Sequence, residues 1–260
     1  MHWIDCHNHL QEASLGAAPP LLAAMAGAGV LRAVVNATCE AEWAAVAALA
    51  AAYPQTLVPA FGIHPWHAHE AGAQWQRRLR GLLEQLPQAG VGECGLDRWV
   101  AVPAVAAQVP VLVAQLRIAR ELQRTVTIHC VRAWGLLLET VAAEAPLPPF
   151  VLHSYSGSLE MARRLLPLGA YFSFSGRGLQ PRQAAVLEVF RQLPRARILL
   201  ETDAPEMLPP PPYLTHPLPG QRNHPANLPA IGGGLARALG MSAEALAELT
   251  TSNARACFGW

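Results

Sequence analysis

Ile4-Asp5-Cys6-His7-Asn8-His9 opens the chain with a short β-type run that ends in two imidazoles. Side chains at i and i+2 of an extended chain point the same way. His7 and His9 can therefore converge on one cation. The same construction recurs along the chain. Predicted strands cover residues 2–6, 32–36, 57–63, 90–94, 125–129, 150–153, 170–174 and 198–202. Six of these runs end in or lead into a ligand-type side chain: His7 and His9, His64, Glu93, His129, His153 and Asp203. Helical patterns lie between them, at 19–28, 40–53, 70–86, 108–123, 134–144, 159–168 and 182–192. Two more, 227–239 and 243–250, follow the last strand. Strands alternating with helices imply right-handed βαβ units and a parallel sheet. Eight repeats in 260 residues is the size of a TIM-type (β/α)8 barrel. A doubly wound open sheet is the alternative, but no glycine-rich dinucleotide turn follows the first strand. No repeat or linker divides residues 1–260, which read as one barrel domain.

Bulk composition narrows the class. Apolar residues make up 52% of the chain and charged residues 14%, which excludes a disordered chain. The formal net charge of +1 does not indicate a broad nonspecific nucleic-acid surface, though it leaves room for a small charged pocket. All nineteen basic side chains are arginines. The absence of lysine excludes a Schiff-base mechanism and a metal bridge made by a modified lysine. Five cysteines, none in a C-x-x-C pair, point to free thiols in a reducing compartment. The first residues lack a basic segment followed by an apolar run, and no stretch is apolar enough to span a membrane. A cytoplasmic protein, monomeric or a small homo-oligomer, is expected.

In a (β/α)8 barrel, reactive groups sit at the C-terminal ends of the strands. The predicted site is a two-cation cluster of His7, His9, Glu93, His129, His153 and Asp203. Mixed imidazole and carboxylate ligands suit Zn, Mn, Mg, Fe or Ni more than Ca. With no lysine available, Glu93 is the strand-end residue suited to bridge two cations through its two oxygens. His7, His9, Glu93 and Asp203 would hold one, and Glu93, His129 and His153 the other, with the cations about 3.5–4 Å apart. A water between them would lose a proton near neutral pH and attack as hydroxide. Asp203 is also a candidate proton acceptor. Glu201 is placed to orient a histidine or to act as a buried structural acid, and Asp5 to support the ligands or the barrel floor. Two long connections, 96–107 and 204–226, stand out. The second holds eight of the 23 prolines and is expected to form a stiff wall of the site mouth.

These residues resemble the TatD-type metal-dependent deoxyribonucleases. The resemblance rests on Asp5-Cys6-His7-Asn8-His9-Leu10, Gly62-Ile63-His64-Pro65, Gly92-Glu93-Cys94-Gly95-Leu96-Asp97, His129-Cys130, His153-Ser154-Tyr155-Ser156-Gly157, Glu201-Thr202-Asp203-Ala204-Pro205, Arg222-Asn223 and the final Thr251–Gly259 segment. It runs in order along the whole chain. It implies an amidohydrolase-like barrel, two divalent cations on the six ligands, and phosphodiester hydrolysis, often 3′-to-5′ removal of nucleotides from single-stranded DNA. It also places His64 near the scissile phosphate. The chain departs from the family pattern at Val131-Arg132, at Arg98-Trp99-Val100 and at His224, all positions on the substrate side.

Arg98, Arg132, Arg177 and Arg222 are candidate phosphate contacts. Tyr155, Trp66 and Trp99 are candidate stacking surfaces, and backbone donors at Ser154, Ser156 and Gly157 could hold a leaving oxygen. Three functions stay open: a two-cation phosphodiesterase on DNA ends, an amide, lactone or ester hydrolase on the same site, and a non-catalytic scaffold.

Overall fold

In the computed structural model, which describes residues 1–260, the apolar runs form eight strands. They are β1 Trp3–Asn8, β2 Val30–Asn36, β3 Leu57–Phe61, β4 Gly90–Asp97, β5 Val126–Val131, β6 Phe150–Leu152, β7 Ala170–Phe174 and β8 Ile198–Leu200. All neighbours pair in parallel, in the order β1 to β8. The helices are α1 Ala18–Gly27, α2 Trp43–Ala52, α3 Trp75–Gln85, α4 Val105–Leu122, α5 Trp134–Ala143, α6 Leu159–Leu165, α7 Ala184–Gln192, α8 Leu228–Leu239 and α9 Ala243–Phe258. This is the (β/α)8 barrel expected from the alternation. No helix is long and apolar enough to cross a membrane.

The ring closes between β1 and the segment that follows β8. Asp203 N donates to His7 O at 2.9 Å and His9 N to Ala204 O at 2.8 Å. Beneath them, Asp5 binds the seam through its side chain. It accepts from the Thr202 amide at 2.9 Å, the Thr202 hydroxyl at 2.5 Å and Asn8 Nδ2 at 3.1 Å. A buried carboxylate is tolerated when donors surround it. Asp5 therefore joins β1 to the segment after β8 rather than contributing to the site directly.

The interior is layered. Ile4, Cys6, Val151, Tyr171 and Leu199 pack with Ala254 and Cys257 of α9. The α9 segment caps the strand starts, where Asn253 Nδ2 donates to Ile198 O and Thr125 Oγ1 to Cys257 O, each at 2.8 Å. Strand alternation puts His153 two residues past Val151, and Glu201 two past Leu199, so this apolar floor lies under the polar site. Outside the barrel, the larger core joins the sheet to the helices through residues such as Phe61, Leu79, Leu116, Phe150 and Leu235.

Two expectations need correction. The predicted 96–107 connection is much shorter, because β4 runs on to Asp97, paired with Val131, and α4 already begins at Val105. Gln108 of α4 holds the strand end by accepting from Asp97 N and donating to Asp97 O, at 2.7 and 2.8 Å. The last helix runs to Phe258 rather than ending at 250, because Asn253, Ala254 and Cys257 are buried against the barrel. Gly95 matters to β4. Its φ is 149°, and a Cβ there would lie 1.9 Å from His129 O. Only glycine lets β4 approach the strand that carries His129 so closely.

The seam yields a stability prediction. Thr202→Val keeps the backbone donor but removes the hydroxyl facing Asp5, leaving a buried carboxylate oxygen short of a donor. Urea unfolding should show a loss of about 1–3 kcal/mol with an unchanged m value. An unchanged midpoint would show that this hydroxyl does not hold the seam.

Candidate metal centre

Glu93 stands at the centre. The β4–β5 ladder breaks between Val91 and Cys94, and the Glu93 amide donates across to Ala37 O at 2.8 Å. Its side chain reaches the barrel axis with 3% of its surface exposed. Five imidazoles surround its two oxygens. Glu93 Oε2 lies 3.3 Å from His7 Nε2 and 3.5 Å from His9 Nε2. Glu93 Oε1 lies 3.0 Å from His129 Nδ1, 2.9 Å from His153 Nε2 and 3.5 Å from His64 Nε2. Asp203 Oδ1 joins the first group, 3.3 Å from His7 Nε2 and 3.4 Å from His9 Nε2. All six ligand-type residues read from the sequence, and His64, therefore meet at one end of the barrel. His7–His9–Glu93, His7–His153–Asp203 and His64–Glu93–His129 each converge closely enough to hold a cation.

The outer nitrogens show which imidazoles suit that task. His9 Nδ1 lies 2.8 Å from the Asn36 carbonyl oxygen, which only accepts. His129 Nε2 lies 3.1 Å from Asp97 Oδ2, and His153 Nδ1 lies 3.4 Å from Glu201 Oε1. The Asn36 carbonyl and the Asp97 carboxylate each take an N–H from the outer side of a neutral ring and leave the inner nitrogen's lone pair facing the centre, the arrangement that metal-binding histidines use, whereas Glu201 is an ion-pair neighbour of His153 without a hydrogen bond to it. The inner nitrogens meet in pairs, His7 with His9 at 3.2 Å and His129 with His153 at 3.1 Å. Such pairs suit a shared cation. His64 is reversed. Its Nδ1 accepts from the Trp66 amide at 3.2 Å, so the neutral ring carries its proton on Nε2, which faces Glu93. His64 thus presents a donor where the others present a lone pair. On this ground it is a poor ligand despite its distance.

Charge follows the same division. Burial opposes protonation of His9, His129 and His153, but the neighbouring acids overcome it. Asp203 and Glu93 raise His9 to about 9; Asp97 and Glu93 raise His129; Glu93 and Glu201 raise His153 well above the ordinary range. Burial would raise Glu93 and Asp203, yet the surrounding imidazoles hold both carboxyls below their usual range. Burial keeps His64 well below an ordinary histidine, hence neutral. The acids thus favour an added proton on these rings, which a cation binding at the inner nitrogens would displace.

Asp97 is the residue that strand-end reading did not assign. It lies four places past Glu93 on one strand, and its carboxylate contacts His129, the Trp66 indole and the Trp99 amide. The signal available was the extended run Gly92–Asp97. Glu201 is fully buried beside His153, its Oε1 3.4 Å from His153 Nδ1. Tyr155 does not form a stacking surface. It is buried against Trp134 and Phe172, and its hydroxyl donates to Ser158 O. The Tyr155 amide is committed to Ser173 O, and Ser154 Oγ to Ser175 Oγ. A cavity beside the cluster is lined by His129, His153, Ser154, Arg177 and Met207, the last from the proline-rich 204–226 segment. That segment is anchored as expected of a wall. Asn223 N donates to Pro205 O and Asn223 Nδ2 to Thr202 O, while Asn227 Oδ1 accepts from His216 N. Arg222 points away, to the Ser14 carbonyl.

Known proteins resemble this chain over most of its length. The TatD related DNase family model matches residues 4–259. A 3′-5′ ssDNA/RNA exonuclease TatD of Pantoea ananatis is 34% identical over 235 residues, 89% of each chain. The metal-dependent hydrolase YjjV of Escherichia coli is 34% identical over 215 residues, 79% of this chain and 80% of that one. The crystal structure of the Escherichia coli TatD homologue YJJV superposes with a TM-score of 0.87 at 30% identity, covering 99% of this chain and 98% of that one.

Because ligating imidazoles must be neutral, cation uptake should release protons. Zn²⁺ added to metal-free protein near pH 7, in weakly buffered indicator solution, should acidify it. Apparent affinity should fall as the pH is lowered, and the His9 share of the proton release should fade as the pH rises through about 9. Saturable binding without proton release would contradict this account of the inner nitrogens.

Proposed function

The chain belongs to the TatD-related DNase family, and on that premise we propose that it is a two-cation phosphodiesterase that removes nucleotides from the 3′ end of single-stranded DNA. The observation that carries the reading is the division around Glu93, whose two oxygens face two separate imidazole groups. His7, His9, Asp203 and Glu93 Oε2 would hold one cation, and His129, His153 and Glu93 Oε1 the other. Bound there, divalent cations supply Lewis acidity to the phosphoryl oxygens and make a nearby water more acidic.

The remaining steps belong to side chains. Asp203, held ionised by His7 and His9, accepts the proton of the attacking water at its carboxylate. His64 offers its Nε2–H to a non-bridging phosphoryl oxygen, because its other nitrogen is occupied by the Trp66 amide. Its neutrality lets it donate without adding a charge that would compete with the cations. Asp97 keeps His129 oriented through its hydrogen bond, and Glu201 places a negative charge beside His153. The apolar floor and α9 close the barrel below, so substrate enters only from the strand C-terminal side.

Asp203→Asn should lower turnover of end-labelled single-stranded DNA by about 10²–10⁴-fold while leaving the fold intact. An unchanged rate would remove Asp203 from the proton-accepting role. Elemental analysis of reconstituted protein should find two cations per chain, and a single equivalent would defeat the bridged pair. A panel of esters and lactones run beside the DNA separates the substrate classes. Turnover of esters or lactones with DNA untouched would overturn the phosphodiesterase reading.

A further inference from the structure

Two indoles stand open to solvent at the site mouth, Trp66 with 48% and Trp99 with 65% of its surface exposed. Large aromatic side chains are seldom left so exposed without a partner. Both are tied to one carboxylate beside the cluster. Trp66 Nε1 donates to Asp97 Oδ2 at 2.8 Å, and the Trp99 amide donates to Asp97 Oδ1 at 2.6 Å. Asp97 Oδ2 also lies 3.1 Å from His129 Nε2. The two tryptophans are therefore positioned relative to the cluster.

Arg132 completes the arrangement. Its guanidinium carbon sits 4.0 Å from the centre of the Trp99 ring. Its backbone φ of 54° is unusual for a non-glycine residue, and Arg98 N donates to Val131 O at 3.0 Å, fixing the two strand ends side by side. A guanidinium on one face of an indole leaves the opposite face for a second planar partner, and it places a positive charge where a phosphate could pass.

We propose that Trp99, backed by Arg132 and flanked by Trp66, is a stacking shelf for an unpaired nucleobase of the strand being cleaved. The inference rests on the phosphodiesterase reading and specifies how that site recognises its substrate. A base inside a duplex has both faces covered by its neighbours, so a shelf of this kind selects single-stranded or frayed ends. It tolerates any base, because every base offers a π-face. It also gives a nearly neutral chain a local positive charge beside the site, on Arg132.

Binding separates this inference from the catalytic one. Fluorescence anisotropy of metal-free protein should be compared on a labelled oligo(dT) and on an equally long strand of abasic spacers, which keeps the phosphates and loses the bases. The wild type should prefer oligo(dT). Trp99→Ala should weaken oligo(dT) binding by roughly 5- to 150-fold, the range expected for loss of one base–aromatic stack, and leave abasic binding unchanged. Trp99→Phe should restore most of the loss. In the cation-loaded enzyme Trp99→Ala should raise KM for DNA with kcat about unchanged. Equal wild-type affinity for both strands, no binding of either, or an equal loss on both in Trp99→Ala would overturn the shelf. Base-dependent binding without any DNA turnover would uphold the shelf and defeat the phosphodiesterase reading instead.

Discussion

A buried carboxylate must be surrounded by partners or it will not stay charged, and Glu93 is that carboxylate here. Five imidazoles from β1, β5 and the ends of β3 and β6 point at its two oxygens. No single strand could supply them. The barrel must be closed and its registers fixed before the acid is satisfied. The local departures from regular structure serve this end: the register shift of β1 before Asn8, the break in β4 at Glu93, and the close approach at Gly95. Asp5 acts on the opposite side of the ring. It fixes β1 to Thr202 and so brings His7 and His9 against Asp203.

The imidazoles are not equivalent. An acceptor behind His9 and His129 turns the lone pair of a neutral ring inward, and a carboxylate lies behind His153, whereas a donor behind His64 turns an N–H inward. These outer contacts come from different elements: the end of β2 for His9, β4 for His129, the segment after β8 for His153 and the turn after β3 for His64. The ring's closed order therefore sets both the position of each nitrogen and its role. The same logic extends outward through Asp97, which orients His129 and anchors both exposed tryptophans. A change there would reach the cluster and the mouth together.

The apolar floor explains why such a polar cluster is tolerated inside the barrel. Ile4, Cys6, Val151, Tyr171 and Leu199 seal it from below with α9, so the polar groups open only toward the mouth. The proline-rich segment and the turn after β4 shape that mouth. Both are pinned by buried amide side chains, Asn223 and Asn227 in one and Gln108 in the other. Their backbones are thereby satisfied without regular secondary structure.

Much of this was legible in the chain. Short continuous apolar runs alternating with helical patterns point to a parallel sheet covered on both faces, and eight such repeats in 260 residues match the size of a barrel. A ligand-type residue at six strand ends marks the mouth, because those ends share one rim. The absence of lysine singled out Glu93 as the acid suited to two cations. Tertiary structure alone decided the rest. Asp97 looked like the start of a loop, because strand length depends on the partner strand and β5 carries the ladder on to Val131. Tyr155 looked available for stacking, because nothing local reveals that Trp134 and Phe172 enclose it. The direction of each imidazole's proton, and so the difference between His64 and its neighbours, depends on acceptors and donors that folding brings behind each ring. No spacing along the chain encodes those contacts.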